Sequence, residues 1–146
     1  MSARKNCRNP VGSALWRTSY GGNRIEEFSI SYVDGFVIPV PKDKIDAYKD
    51  LGRRAGAVWK EHGALAFVEC FADDVPFGEQ TSFPRAVQAR DDETVAFCWI
   101  VYESREARDR INAAVMADPR LEHDPAQMPF DGKRMIFGGF TPFVEL

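Results

Sequence analysis

The stretch Tyr32–Val40, "YVDGFVIPV", marks the point in the chain where a regular pattern of secondary structure begins. Its β-branched and aromatic residues alternate with small or polar ones, which predicts a β-strand. Asp43 then opens a helix that runs to about His62, where Gly63 supplies a left-handed C-terminal stop. The next apolar run, "ALAFVECF" (64–71), predicts a second strand. Together these residues predict a strand–helix–strand unit.

The second half of the chain continues the alternation of strands and a helix. The segments "FPRAVQA" (83–89) and "ETVAFCWIVY" (93–102) predict a β-hairpin. Ser104 is a predicted N-cap of a second amphipathic helix that ends near Asp118, and "KRMIFGGF" (133–140) predicts a further strand. The order predicts an α+β, ferredoxin-like βαββαβ fold, with one antiparallel sheet and both helices on one face.

The first 29 residues differ from the rest of the chain in pattern and charge. They show no helical or strand periodicity, which predicts a flexible N-terminal extension before a single domain at 30–146; an organelle transit peptide is the alternative. Residues 1–28 hold five basic and two acidic residues, so a chain of net charge −3 carries −6 over residues 29–146. Such an acidic body argues against nucleic-acid binding, which needs clustered lysine and arginine.

Composition limits the other classes of partner. No apolar run is long enough to cross a bilayer, so no membrane association is expected. The three cysteines, Cys7, Cys70 and Cys98, are odd in number and widely spaced, which favours a reducing, cytoplasmic location. No cysteine–histidine spacing typical of zinc, no phosphate loop and no dinucleotide motif is present, so we expect no metal and no cofactor.

Successive side chains of a strand point to opposite faces of a sheet, and here the two parities differ in size. One parity is slim and is predicted to pack under the helices: Val33, Gly35, Val37, Ala66, Val68, Cys70, Ala96, Cys98 and Ile100. The other is bulky: Tyr32, Phe36, Ile38, Leu65, Phe67, Phe71, Val95, Phe97, Trp99, Val101, Met135 and Phe137. Two helices cannot cover both faces, so the pattern predicts that a second copy covers the bulky one in a homodimer.

Several blocks of this sequence also resemble a known family. "YVDGFVIPVP", "WKEHGAL", "FPRAVQ", "VMADPR" and "MPFDGKRMIFGGF" are similar to the YbaA-like family, over about residues 31–146. The resemblance implies the dimeric α/β-barrel superfamily and a bacterial domain of unknown function. It implies no catalytic residue, because the family has none established, and the varied chemistry of the superfamily does not transfer with the fold.

Three side chains are candidates for acid–base chemistry. Glu69 and Asp34 fall on the bulky parity, where a carboxylate must be paired, hydrogen-bonded or protonated. The structural alternative places each at a strand end, in water or beside an arginine such as Arg85 or Arg134, and a β-bulge would reverse the parity. His62 lies in the last turn of the first helix, where a role as a structural cap is favoured over a catalytic base because no nucleophile motif accompanies it.

The predicted ligand pocket combines Glu69, which is expected to be substantially buried, with neighbouring rings and a cation. Its members are Trp99, Phe97, Phe67 and Arg85, although the aromatic residues are more often core or interface than ligand platforms. The sequence therefore supports a homodimeric small-molecule-binding protein, with cofactor-independent catalysis left open. The alternative is a non-catalytic dimeric structural or interaction module whose bulky face serves assembly alone.

Overall fold

The computed structural model describes residues 31–146, so the prediction of a flexible extension over residues 1–29 lies outside the described residues. Its main elements are β1 (Tyr32–Pro41), α1 (Ile45–His62), β2 (Ala66–Phe71), α2 (Phe83–Ala86), β3 (Glu93–Tyr102), α3 (Arg105–Met116) and β4 (Ile136–Phe140). Short 3-10 turns occupy Lys42–Lys44, Pro119–Leu121 and Pro125–Gln127. Within the described residues, no helix has both the length and the apolar character needed to span a membrane.

The four strands form one antiparallel sheet in the order β2-β3-β1-β4. β3 lies between β1 and β2, so the strand–helix–strand unit around α1 is split by a strand from later in the chain. This topology confirms the predicted ferredoxin-like α+β fold. Two helix ends also follow the prediction: Gly63 ends α1 at a φ of 118°, and the side chain of Ser104 caps α3 by accepting a hydrogen bond from the Ala107 backbone.

The core lies between the sheet and the two long helices. One cluster joins Val58 of α1 and Ile111 and Val115 of α3 to Ile100 and Tyr102 of β3. A second cluster joins the ring of Tyr48 in α1 to side chains of β1 and β3: Ile38, Val40, Ala96 and Cys98. The inward stripe of each helix therefore covers the same face of the sheet, as the periodicity predicts.

The prediction of which side chains face the helices is right for β3 and wrong for the other strands. Ala96, Cys98 and Ile100 do face the helices, but the strand register pairs both Phe36 and Glu69 with Cys98, and paired residues share a face. The bulky side chains of β1 and β2 therefore lie under the helices, together with Phe137 of β4, which pairs with Phe36. Their slim neighbours lie on the opposite, uncovered face.

Glycines on α1 explain the reversal. A Cβ atom added to Gly56 would meet the ring of Phe67 at 2.8 Å, and one added to Gly52 would meet the carboxylate of Glu69. Because glycine has no side chain, these two positions leave space beneath α1 for large side chains of β2. The helix therefore does not pack directly on small residues of the sheet. Close packing is satisfied whether the large side chains lie on the helix or on the sheet, provided that small residues face them. Residue size alone therefore predicts the wrong face.

The predicted strand at residues 83–89 is also wrong. Residues 83–86 form the short helix α2, which starts at Ser82, whose hydroxyl accepts a hydrogen bond from the Arg85 backbone at 3.2 Å. A serine followed by a proline in the next turn is a helix-start signal. The ring of Phe83 in α2 packs against Phe97, 5.6 Å away, and so covers one end of the sheet face that the long helices leave open.

Candidate functional site

A cavity of about 600 Å³ lies between the helical layer and the sheet. Strands β1, β2 and β3 form its floor, α1 and α3 form its walls, and the segment between α3 and β4 contributes Leu121, Met128 and Phe130. The size falls in the range of small-molecule sites, and the lining is predominantly apolar with a few polar side chains. Those polar side chains form two separate clusters.

The first cluster, termed here the Tyr48 cluster, consists of Tyr48, Glu69 and Cys98. The Tyr48 hydroxyl lies 3.5 Å from Glu69 Oε1 and 3.6 Å from Cys98 Sγ. Burial raises the pKa of all three groups above their ordinary values, that of Cys98 to about 12. Each shift favours the uncharged form of the group.

Glu69 occupies a boundary position. It lies on the edge strand β2, and its exposed side chain also lines a shallow groove of about 330 Å³ between α1 and this edge of the sheet, next to Lys49 and Arg53. Its carboxylate rests over Gly52, where a side chain on the helix would displace it. The carboxylate is partly desolvated against α1, which raises its pKa, while the side chain as a whole is exposed. Glu69 is therefore reached both from the cavity and from solvent, and the prediction that it is substantially buried is wrong.

The second cluster, termed here the Asp34 cluster, lies at the other end of the cavity. The buried carboxylate of Asp34 accepts hydrogen bonds from Arg108 Nη1 at 2.7 Å and from Asn112 Nδ2 at 3.2 Å. Asn112 Oδ1 in turn accepts from Trp59 Nε1 at 3.0 Å and from the Tyr102 hydroxyl at 2.8 Å. Both carboxylate oxygens are thus engaged, and the network links β1 and β3 to both long helices.

The arginine of this cluster is held from several sides. Its guanidinium stands 4.8 Å from the centre of the Tyr32 ring and its Nε donates to Asp109 Oδ1 at 2.8 Å. Although burial disfavours the charge, the neighbouring Asp34 carboxylate shifts the pKa of Arg108 upward overall. The ion pair neutralises this end of the cavity while keeping a guanidinium group in its wall.

Only part of the predicted pocket comes together. Phe67, Glu69 and Asp34 all line the cavity. Trp99 pairs with Val68 and therefore lies on the opposite face from Glu69, as does Phe97. The predicted proximity of Glu69 to Trp99 is wrong, because it assumed that the bulky residues of β2 and β3 share one face.

Arg85 does not contact either carboxylate. Its Nε donates to the Phe77 carbonyl at 2.9 Å, its Nη2 donates to the Gly78 carbonyl at 3.2 Å, and its guanidinium covers the Phe77 ring at 3.9 Å. It therefore fastens the loop before α2. Arg134, the other suggested partner, forms a bidentate ion pair with Glu93 at 2.8 and 2.9 Å.

His62 lies outside the cavity and has a carboxylate partner. Its Nε2 is 2.9 Å from Asp118 Oδ2, and the same carboxylate binds the guanidinium of Arg120. These hydrogen bonds, that of Arg120 first, lower the pKa of Asp118. The contact joins the end of α1 to the chain just beyond α3, which matches the structural interpretation of this histidine.

Replacement of His62 by glutamine is expected to leave the fold and the cavity intact. Because the glutamine amide can still donate to Asp118, we expect the melting temperature to shift by less than about 4 °C. Differential scanning fluorimetry measures that shift, and titration of any cavity ligand gives the second readout. A loss of ligand affinity in a normally folded His62→Gln variant would contradict the structural role.

The polar partners on α3 are absent from the sequence-based site. Arg108 and Asn112 are spaced i, i+4 beside the apolar stripe of Ile111 and Val115, which places them on the inward side of the helix. That spacing is the signal by which they could have been found. Among the described residues, no group of three or more histidine, cysteine, aspartate or glutamate side chains is arranged to hold a metal ion.

Comparison of the sequence with known proteins identifies the family of this chain. Residues 31–132 match the family model "Protein of unknown function (DUF1428)". The uncharacterized protein YbaA of Escherichia coli K12 is 51% identical over 116 residues, which cover 80% of this chain and 99% of that protein. The YbaA protein of Shigella flexneri matches with the same identity and coverage.

Among solved structures, the chain resembles a dimeric ferredoxin-like protein from an uncultured marine organism. The TM-score is 0.52 at 10% identity, over 81% of this chain and 100% of that one. A likeness at this identity supports the ferredoxin-like fold alone. The family match and the relatives at 51% identity settle the affiliation that the sequence motifs indicate: the chain belongs to the DUF1428 family and is a relative of YbaA.

Proposed function

We propose that the protein is a homodimeric small-molecule-binding protein whose ligand enters the cavity between the sheet and the helices. The observation that carries this proposal is the cavity itself: about 600 Å³ of mainly apolar space with a polar cluster at each end. A site that served packing alone would be filled by side chains, because interiors close-pack to few voids. Apolar walls with a few convergent polar groups are typical of ligand sites.

The dimer is proposed from the uncovered face of the sheet. Phe97, Ile136 and Phe140 are 43%, 45% and 61% exposed on that face, and Trp99 lies beside Phe97 with their ring centres 5.7 Å apart. A contiguous apolar patch of this kind marks an interaction surface. The similar marine protein is described as dimeric, and a two-fold contact between identical faces would cover both patches at once.

Binding is better supported than catalysis. Asp34 has both oxygens engaged by Arg108 and Asn112, which makes it a poor acceptor of a substrate proton. Glu69, whose pKa is raised by burial, is the one candidate for acid–base work that this proposal retains. The free thiols of Cys70 and Cys98 accord with a cytoplasmic location.

A non-catalytic assembly module is the second candidate, and the exposed apolar sheet face favours it. The two candidates make different use of the cavity. A module that only assembles has no need of space beneath its helices, whereas a binding protein loses its ligand when that space is filled.

A matched pair of substitutions on α1 tests the cavity. Ala55 lines it, and Ala57 is exposed on the same helix. Small carboxylic acids, aromatic compounds and haem would be screened by thermal shift against the unaltered chain. We expect Ala55→Phe to reduce the affinity of each hit at least about tenfold, because the ring occupies the ligand's volume, and Ala57→Phe to leave it unchanged. Hits that bind both variants equally would show that the ligand lies elsewhere and would favour the assembly module.

A further inference from the structure

The segment between α3 and β4 is tied to the body of the domain at both ends. At its start, Arg120 donates to Glu61 Oε2 at 2.6 Å and to both carboxylate oxygens of Asp118. At its end, Arg134 forms a bidentate pair with Glu93, whose side chain is only 3% exposed. Paired hydrogen bonds between arginine and carboxylate fix geometry as well as charge. The segment is therefore held at these two anchors.

Residues 121–130, termed here the strap, connect the two anchors. Within residues 31–146, the hydrogen bonds of the strap join residues 118–128 to one another, and none of them reaches the long helices or the sheet. A segment without hydrogen bonds to the body of a domain opens at a lower free energy than the domain unfolds. The strap is therefore the part of the cavity wall that is easiest to displace.

Apolar side chains hold the strap on the cavity. Leu121, Met128 and Phe130 are half-buried and line it. The ring of Phe130 meets the ring of Tyr48 edge to face, with their centres 5.8 Å apart. Contacts of this kind are non-directional, and their loss leaves no buried donor or acceptor without a partner. Opening of the strap therefore costs apolar contact alone.

We propose that the strap is the lid of the cavity, which moves away about its two anchors to admit a ligand and closes when Phe130 returns to Tyr48. The inference assigns the entrance of the cavity and rests on the proposed binding function for its purpose. The closed strap also brings Glu122 and His123 to the cavity lining, so this part of the lining is assembled on closure. A lid of this kind sets the rates at which ligands enter and leave.

The thiol of Cys98 reports on the strap without any ligand. Cys98 lines the cavity and is only 4% exposed, and burial raises the pKa of its thiol to about 12. Alkylation by N-ethylmaleimide needs both access and thiolate, so the reagent should modify Cys98 only when the strap or the whole domain opens. Cys70 is exposed. Peptide mass spectrometry resolves the two sites, which makes Cys70 the internal control for the reagent.

Urea separates the two routes to Cys98. Opening of the strap exposes little surface and so depends weakly on urea, whereas global unfolding depends on it steeply. We expect a labelling rate of Cys98 that is constant at low urea. Phe130→Ala removes the ring contact and its buried area, and should raise that rate at least about tenfold. Met128→Ala is a milder change that should raise it at least about threefold, while the rate at Cys70 stays the same in both variants.

Val95→Ala is the matched control for global stability. Val95 is 5% exposed and lies on the opposite face of the sheet from Cys98, so its truncation weakens the domain without touching the strap. We expect it to leave the low-urea rate of Cys98 unchanged. Urea denaturation of each variant, followed by circular dichroism, gives the global stability for comparison.

Three results would overturn the lid. They are labelling of Cys98 that follows global unfolding at every urea concentration, a low-urea rate that neither strap variant raises, and a Val95→Ala rate as high as that of Phe130→Ala. Because no ligand takes part, this outcome leaves the Ala55→Phe test of binding intact, and a ligand would then enter by another route. Faster labelling in the strap variants together with a ligand screen that gives no hit would keep the lid and overturn the binding function.

Discussion

Replacing Asp34 by alanine is expected to lower the free energy of unfolding by about 3–5 kcal/mol. Asp34 is buried, and its carboxylate is the closest counter-charge of Arg108, whose side chain is only 19% exposed. Without Asp34 the guanidinium stays in the wall of an apolar cavity and keeps only the exposed carboxylate of Asp109 as a counter-charge. Asn112 also loses an acceptor for its amide group. Urea denaturation followed by circular dichroism measures the change.

Asp109→Ala is the matched control for this prediction. Asp109 contacts the same guanidinium at 2.8 Å, but its side chain is 62% exposed. A surface ion pair contributes little, so we expect a loss of no more than about 0.5–1 kcal/mol. Equal effects of the two substitutions would show that the buried position of Asp34 does not determine the strength of its contact. The Asp34 cluster would then not be a structural support of the cavity.

The topology could be predicted from the sequence because each long element carries its own signal. The inward stripe of α1 and the glycine at its end define that helix without reference to the rest of the chain. The same holds for the serine cap of α3 and for the apolar runs of the strands. Local signals of this kind agree with the global arrangement in a naturally folding sequence.

The faces of the sheet could not be predicted in the same way, because they depend on register between distant strands. A shift of one residue exchanges the two faces of a strand. Size was a misleading guide here, since Gly52 and Gly56 of α1 accommodate Glu69 and Phe67. The pairing of Glu69 with Cys98 and the contact of its carboxylate with Gly52 show that Glu69 lies on the face that the helices cover.

The site was predicted in part for the same reason. Asp34, Glu69 and Phe67 could be singled out one by one, as polar or large side chains in apolar strands. Their partners on the helices could not, because a contact such as Asp34 with Arg108 joins residues 74 positions apart. The charge of a residue reveals that it needs a partner, and only the packing of α3 on the sheet reveals which one.

Phe97→Asp is expected to convert the proposed dimer to a monomer. Phe97 lies on the uncovered face, between the rings of Phe83 and Trp99. In a two-fold contact between these faces, two substituted residues would enter one interface, and each aspartate would have to be buried without a partner. We expect the dissociation constant of the dimer to rise at least about 30-fold, the loss of one hot spot of about 2 kcal/mol. Sedimentation velocity over a concentration series measures it.

The substitution separates assembly from folding because Phe97 is 43% exposed in the single chain, so aspartate can stay hydrated in the monomer. Ala57→Asp adds the same charge on the outer side of α1 and serves as the control, which should keep the dissociation constant of the unaltered chain. A Phe97→Asp variant that dimerises as tightly as the control would place the contact on another surface. The apolar patch of the sheet would then require a different occupant, since water alone is a poor partner for Phe97, Ile136 and Phe140.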